Sequence, residues 1–223
     1  MNTVFLKNYP APPFDTKEIL RYAGVKEVTP EINALLFDCL QEVEGVFSYR
    51  VCYREFPVSI VGDVVDLSFA KTKSCDLAKN LAGTDSFVLF AATVGVGLDR
   101  LVFRYSKISP ARSLLLSAIG AERIEALCNS FNQELTAEKK AQGLFTRPRF
   151  SPGYGDLSLE LQKEIISVLD CNRKIGLSLN DSLLMSPVKS VTAIIGTGTC
   201  DIKKTGQSCQ VCRKTDCEFR RIK

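Results

Sequence analysis

Ser86-Phe-Val-Leu-Phe-Ala-Ala-Thr-Val94 is the stretch on which the fold turns. It carries no charge and does not alternate apolar with polar residues. A run of this length, rich in aromatic and β-branched side chains, reads as a strand buried on both faces. Such a strand requires covering layers on two sides. Gly95-Val96-Gly97 ends it and turns the chain into a helix from Leu98.

Downstream, Ser109-Pro110 opens the longest helix, expected to run to about Ala141. Its expected buried stripe is Leu114, Leu115, Ala118, Ile119, Ile124, Leu127, Cys128, Phe131 and Leu135. Ser158 opens another helix with Leu161, Ile165, Ile166 and Leu169 inward. Leu177 to Met185 reads either way, and Ser190 to Ile195 reads as a strand. Upstream, Phe47, Tyr49, Val51 and Tyr53 alternate with Ser48, Arg50, Cys52 and Arg54, the pattern of a half-exposed strand. Val58 to Val61 and Val64 to Phe69, around Gly62-Asp63, form a hairpin. Ser74 caps a short helix that Gly83 ends. Thr29-Pro30 starts a helix whose apolar set is Ile32, Leu35, Leu36, Cys39, Leu40 and Val43, ended by Gly45. Residues 1 to 14, with Pro10, Pro12 and Pro13, read as an extended arm. Asp15 with Glu18 resembles a capping box, and Gly24 can end the short helix it starts.

Strands and helices mix here without a βαβ rhythm. The expected fold is therefore α+β: a twisted, mostly antiparallel sheet with flanking helices, plus a small Cys-rich C-terminal tail. The expected organisation is an arm and short helix over 1–28, an α+β body over 29–196, and the tail over 197–223.

The chain has 223 residues, 29 basic and 25 acidic, with nine cysteines and no histidine. Without histidine there is no Ser-His-Asp triad, Cys-His dyad, His-bound zinc or His general base. Any metal must be held by cysteine, carboxylate or carbonyl oxygen. Residues 200 to 223 hold seven basic and three acidic side chains, leaving 22 of each in the remainder. The whole formal charge of +4 thus belongs to the last stretch, and the neutral body offers no nucleic-acid footprint. No run reaches the roughly 20 apolar residues of a membrane span. The best, Phe87 to Leu98, is broken by glycines, and the first residues show no signal-peptide apolar region. The expectation is a cytoplasmic protein with no membrane or nucleic-acid partner, whose cysteines are thiols or ligands. Cys39 and Cys128 fall on apolar helical stripes and read as core; Cys52, Cys75 and Cys171 show no partner spacing.

The loop Thr146-Arg-Pro-Arg-Phe-Ser-Pro-Gly-Tyr-Gly-Asp156 concentrates Arg147, Arg149 and Tyr154 beside open glycine backbone. Its plainest reading is a rigid connector, since Pro148 and Pro152 fix φ and Gly153 and Gly155 turn the chain. Its functional reading is a binding loop, because an arginine presents a planar fork matched to a carboxylate.

At Arg149-Phe-Ser-Pro-Gly-Tyr154 the sequence resembles the activation domain of cobalamin-dependent methionine synthase, whose Arg-Pro-x-Pro-Gly-Tyr-Pro loop binds S-adenosylmethionine. Asn180-Asp-Ser-Leu-Leu-Met-Ser-Pro-Val-Lys-Ser-Val191 resembles the family's segment running into Met-x-Pro-x-x-Ser-Val. Ile124-Glu125-Ala126 resembles its Ala-Glu-Ala-like helical turn. The three anchors keep the family's order and cover about the C-terminal half to Gly196; they look closest to stand-alone, single-domain members. Phe150 replaces the family's first Pro, Gly155 replaces its last, and a cysteine tail follows Gly196.

The resemblance implies that Arg149 binds the ligand carboxylate and Glu125 balances its positive charges. It places backbone near Ser151 and Gly153, and the hydroxyl or ring of Tyr154, at the amino-acid or adenine end. Lys189 and Ser190 are further candidates. Without the resemblance, Glu125 is a solvated helix flank and Lys189-Ser190 an ordinary loop. The implied activity is reductive methylation: an oxidised cob(II)alamin on a partner takes one electron, and the methyl group of S-adenosylmethionine passes to cobalt. The implied partners are a cobalamin-dependent methionine synthase or related corrinoid methyltransferase, and an electron donor of flavodoxin or ferredoxin type. Chemistry carried by a corrinoid and a sulfonium asks the protein for orientation and charge compensation, which a histidine-free chain can supply.

Cys200-x8-Cys209-x2-Cys212-x4-Cys217 reads as four thiolate ligands for zinc or an iron–sulfur cluster. Lys203, Lys204, Arg213, Lys214, Arg220 and Arg221 would offset the site's negative charge. The plain reading is a tail of free thiols. An alternative for the whole chain is a non-catalytic adaptor, with a degenerate S-adenosylmethionine site and a metal-bound basic tail for protein or nucleic-acid contact.

Overall fold

The structure is a computed structural model that describes residues 3–200. In chain order it runs β1 (Phe5–Asn8), α1 (Thr16–Tyr22), α2 (Pro30–Glu42), β2 (Arg50–Pro57), β3 (Ser59–Val61), β4 (Val64–Asp66), β5 (Lys71–Lys73) and α3 (Cys75–Asn80). It continues with β6 (Ser86–Thr93), α4 (Gly97–Tyr105), α5 (Pro110–Ala141), β7 (Phe145–Thr146), a 3₁₀ turn, α6 (Gln162–Val168), α7 (Cys171–Ile175), β8 (Ser178–Leu179), β9 (Met185–Ser186) and β10 (Ser190–Gly198). The fold is α+β, with a five-stranded antiparallel sheet in the order β1-β2-β6-β10-β7. Among the described residues no helix is long and apolar enough to cross a membrane.

The quoted apolar run is the central strand. Every residue of β6 pairs with both β2 and β10; Thr93 sits between Arg50 and Ser190, and Ala91 between Cys52 and Thr192. Side chains alternate across the sheet. One face, with Cys52, Phe87, Leu89, Ala91 and Ile194, packs on Leu77 and Leu81 near α3 and on Ile165, Leu169 and Cys171 of the α6–α7 region. The other, with Val51, Val88, Phe90, Ala92, Ala193 and Ile195, packs on Ile124, Leu127, Cys128, Phe131 and Leu135 of α5. Phe90 and Phe131 meet with ring centroids 4.8 Å apart and tilted planes, a favourable aromatic geometry. A third apolar cluster joins Ile19, Leu36, Cys39, Leu98, Leu116 and Ile119 from the four helices α1, α2, α4 and α5.

Three expectations need correction. β2 is not half-exposed: Cys52 and Phe56 are buried on its second face, and Arg54 lays its guanidinium 4.3 Å from the centre of the Phe56 ring. Cys52 is covered by Cys171, 119 positions later, and Phe56 by Phe69 and Phe87, whose ring centroids lie 5.2 and 5.6 Å away, so alternation within the strand could not reveal either cover. Leu114 is not in the buried stripe of α5 but 54% exposed, because Leu115 and Leu116 take the inward positions where α5 meets its neighbouring helices. The proline arm is also more than an arm, since Phe5–Asn8 pairs with Arg50–Tyr53 as an edge strand.

Leu177 to Met185 resolves into the β8–β9 hairpin, and Ser190 to Ile195 extends to Gly198. Capping follows the residues named from the sequence. Asp15 accepts from the N–H groups of Lys17 and Glu18, Thr29 from Ile32 and Ser74 from Leu77.

Cys39 and Cys128 are core residues, as their stripes implied. Cys52 and Cys171, 119 residues apart, lie with sulfurs 3.8 Å from each other in the buried core. Contact with Cys52 and burial push the Cys171 thiol up, and burial pushes Cys128 up to about 12. A thiol held neutral and out of solvent is a poor nucleophile. Brief treatment of the native protein with iodoacetamide should label Cys75 and leave Cys39, Cys52, Cys128 and Cys171 unmodified until denaturant is added. Peptide mass spectrometry reads the difference; fast native labelling of Cys128 would contradict this core.

Candidate functional site

The 32-residue helix α5 is the floor of the site, and its length is needed because one helix serves two purposes. Its apolar side seals the sheet. A second side, marked by Ser117, Ala121, Glu125 and Asn129 at helical spacing, is only partly covered.

Two segments bring cations to that side. Phe150 is held to the edge of β10 by reciprocal backbone bonds, 2.9 Å from its N–H to Ile194 O and 2.8 Å from the Ile194 N–H to its own carbonyl. Alternation then sends Phe150 toward the first core and Arg149 toward α5. Arg149 forms a salt bridge with Glu125, and its second terminal nitrogen lies 3.4 Å from Asn129 Oδ1. Lys189 reaches α5 two turns away, donating to Ser117 Oγ at 3.1 Å. Its stem crosses Gly120 so closely that an added Cβ would lie 2.9 Å from Lys189 Cγ. Burial lowers the Lys189 pKa, with Asp99 acting in the opposite sense. Ser117 and Glu125 are eight residues apart, about 12 Å along the helix axis.

Tyr22 at the end of α1 adds a third side. Burial raises its pKa, and the negative field of Glu125 raises it further. Arg21 stacks 4.2 Å from the centre of the Tyr22 ring and pairs with Glu18 at 2.8 Å. Neither Tyr22 nor Asn129 was a sequence candidate. Asn129 carried a signal, one turn beyond Glu125. Tyr22 carried none, because only tertiary packing sets α1 against α5.

The loop between Ser151 and Leu157 closes on itself. Tyr154 N–H donates to Ser151 O at 3.2 Å, Leu157 N–H to Tyr154 O at 3.1 Å and Gly153 N–H to Leu157 O at 2.9 Å. Three of its backbone N–H groups are thus spent on its own turn, and the Tyr154 side chain stands 70% exposed above it. Gly155 adopts φ +55°, and an added Cβ would lie 2.5 Å from Asp76 Oδ2. A proline, fixed near φ −65°, cannot take that conformation.

Asp156 anchors the loop to the start of α3. Its carboxylate accepts from Ser74 Oγ, from Cys75 N–H at 2.7 Å and from Asp76 N–H at 3.2 Å. The Ser74 hydroxyl, then the two amides, hold its pKa below the usual carboxylate value. A lowered folded-state pKa contributes stability that is complete above the unfolded value near 3.9 and is lost as pH falls through the folded value. The anchor should therefore release only in acid below about pH 4. Asp156→Asn should remove that part of the acid dependence, measured as Tm against pH between 2 and 5. An unchanged profile would contradict the anchor.

Other candidates lie elsewhere. Ser190 is buried, its hydroxyl 2.8 Å from Thr93 Oγ1 and 2.7 Å from the Pro187 carbonyl, on the sheet face opposite Lys189. Arg147 is buried too, donating to the carbonyls of Cys200 at 3.0 Å and Ala82 at 3.2 Å. It ties the loop to the end of β10. Of the cysteine candidates, Cys200 is exposed, while Cys209, Cys212 and Cys217 lie outside the described residues. Among the described residues no group of three or more Cys, Asp or Glu side chains is arranged to hold a metal ion.

No family model and no curated protein matches the sequence. The fold is similar to that of a solved structure, the crystal structure of the MetH reactivation domain bound to AdoHcy, with TM-score 0.62 and 17% sequence identity over 92% of this chain and 81% of that one.

Proposed function

We propose that this chain binds S-adenosylmethionine on the open side of α5. In this reading it acts as an activation protein for reductive methylation of cob(II)alamin on a cobalamin-dependent methionine synthase or related corrinoid methyltransferase. The observation that carries this reading is the Arg149–Glu125 pair, in which two sequence anchors 24 residues apart meet at one partly exposed point. The amino-acid end of S-adenosylmethionine is a zwitterion. Its carboxylate fits the Arg149 fork and its ammonium fits Glu125, so the ligand exchanges one ion pair for two charge-assisted contacts. Likeness in fold to a domain bound to AdoHcy, the product left when the methyl group departs, adds support.

The partner's corrinoid supplies the nucleophile, and the sulfonium supplies an activated methyl group. The work left to this chain is to fix the amino-acid end through Arg149 and Glu125, with Lys189 at the other end of the open side of α5. Tyr22 and Tyr154 offer ring faces to the cationic sulfonium or the adenine. The electron comes from a flavodoxin- or ferredoxin-type donor. We assign to one body the residues from 29 through the end of β10, together with the β1 edge strand and α1 of the first 28 residues, and we assign to a tail beyond it a metal site that holds zinc or an iron–sulfur cluster at Cys200, Cys209, Cys212 and Cys217.

The test is methyl transfer from labelled S-adenosylmethionine to a synthase that lacks its own activation domain, with an electron donor supplied. Label should reach the corrinoid only when this chain is present. No dependence on the chain, together with no calorimetric binding of S-adenosylmethionine, would favour the adaptor reading. Stoichiometric zinc without visible absorbance in anaerobically purified protein would decide against the cluster.

A further inference from the structure

The outer face of α4 and the first turns of α5 form a surface that the ligand site does not use. Asp99 Oδ2 accepts the Val188 N–H at 2.9 Å, which sets the β9–β10 turn beside α4. Phe103 lies one turn beyond Asp99 on the same helix flank. Ser113 Oγ donates to Val102 O at 3.1 Å, so the start of α5 lies alongside the end of α4 with Leu114 turned outward. Phe103, Val188 and Leu114 are 79%, 64% and 54% exposed. Single exposed apolar residues are ordinary, but three brought together by adjoining elements make a patch.

The rim of this patch is cationic. Arg100 and Arg104 share the outer flank of α4, with Lys107 just beyond its end, and all three are exposed. Among the described residues none of the three forms an ion pair. Arg112, nearby in sequence, is already held by Glu42 at 3.0 Å and Asp38 at 3.4 Å. Aromatic and aliphatic centres with arginine at the edge are the usual anatomy of a protein interface.

The patch also runs on into the candidate site. Leu114, Ala121 and Glu125 share one face of α5, since steps of seven and four residues return to the same side of a helix. Leu114 to Glu125 is eleven residues, about 16 Å along the axis. A body seated on Phe103 and Leu114 would overhang the side of α5 between Lys189 and Arg149.

We propose that this face is the docking surface for the corrinoid-carrying protein, which meets it with an apolar centre rimmed by carboxylates. The proposal rests on the function proposed above. A lipid surface fits less well, because α4 has only nine residues and its apolar side, Leu98 and Leu101, is already buried in the core. Three cations beside an apolar centre are also a poor track for a nucleic-acid backbone.

The experiment measures binding of the full chain to a cob(II)alamin-loaded methionine synthase lacking its own activation domain, by biolayer interferometry at low and high salt. Wild-type affinity should fall with salt. Phe103→Ser should weaken it about 10-fold or more, the loss expected of a buried aromatic anchor. The triple variant Arg100→Glu/Arg104→Glu/Lys107→Glu should weaken it further and reverse the salt dependence, because salt then screens a repulsion. Both variants should keep wild-type Tm and wild-type calorimetric affinity for S-adenosylmethionine. Variants that bind the synthase like wild type would overturn the proposal while leaving the ligand reading intact. A wild type that does not bind the synthase would overturn it too, and the ligand titration then shows separately whether the reading beneath it stands. Patch-dependent binding to phosphatidylglycerol vesicles, to duplex DNA or to a second copy of the chain, in place of the synthase, would also overturn it.

Discussion

Arg149→Ala should weaken S-adenosylmethionine binding about 100-fold while leaving the protein folded. Truncating one partner of a desolvated, hydrogen-bonded charge pair costs about 2–5 kcal/mol, and 2.7 kcal/mol corresponds to two decades of affinity. The stability cost should be small. In the free protein the Arg149 and Glu125 side chains are 23% and 40% exposed, and ion pairs that solvent can reach contribute roughly 0–1 kcal/mol. A large binding loss with a small stability change is what separates a ligand contact from a structural one. Glu125→Gln sharpens the test. It keeps the shape and removes the charge, so affinity should fall for S-adenosylmethionine but change little for an analogue without the amino group. Calorimetry and thermal denaturation of the two variants report both quantities. If Arg149→Ala binds S-adenosylmethionine like wild type, the site is wrong.

The sequence carried the central strand and the long helix because both are local patterns of burial. Ser86–Thr93 is buried on both faces by composition alone, and Pro110–Ala141 keeps its helical period for nine turns. What it did not carry was anything decided by distant partners. The second face of β2 is covered from outside the strand: Phe69 and Phe87 lie on Phe56, and Cys52 meets Cys171 without any shared spacing. Within the candidate site, Glu125 lies one residue off the apolar stripe and reads as a solvated flank until Arg149 is placed against it. The loop Arg149–Tyr154 was legible as a resemblance, but the backbone bonds that close its turn were not. Arg147 and Arg149, two residues apart and alike in sequence, part company in the fold. One is buried under backbone carbonyls and the other faces a carboxylate.

Arg123→Met should be the most destabilising single change in the chain outside the apolar core. Arg123 is fully buried, with Nε 2.6 Å from Glu122 Oε2 and Nη2 2.5 Å from Glu122 Oε1. Nη2 also donates to the Pro13 carbonyl at 2.7 Å, Nη1 to the Pro12 carbonyl at 2.5 Å, and the Phe14 ring lies 4.2 Å from the guanidinium. Asp15 N–H completes the cluster, 3.4 Å from Glu122 Oε1. Prolines cannot offer backbone N–H groups, so the arm is held by its carbonyls, and only a side chain rich in donors can take them all. Removing Arg123 leaves Glu122, itself 5% exposed, as an uncompensated buried charge. The expected cost is about 3–5 kcal/mol, which for a chain of this length lowers Tm by roughly 6–20 °C. Glu122→Gln/Arg123→Met removes both charges and should recover a large part of that loss, because the main penalty is the orphaned carboxylate rather than the missing pair. The consequence reaches the site. Pro12 to Asp15 set the start of α1, and α1 places Tyr22 beside Glu125. The single variant should therefore expose the arm to proteolysis before Pro30 and weaken ligand binding through α1, with Arg149 still in place. Thermal denaturation and limited proteolysis decide the matter, and a single variant within 1 kcal/mol of wild type would show that the buried cluster is not what holds the arm.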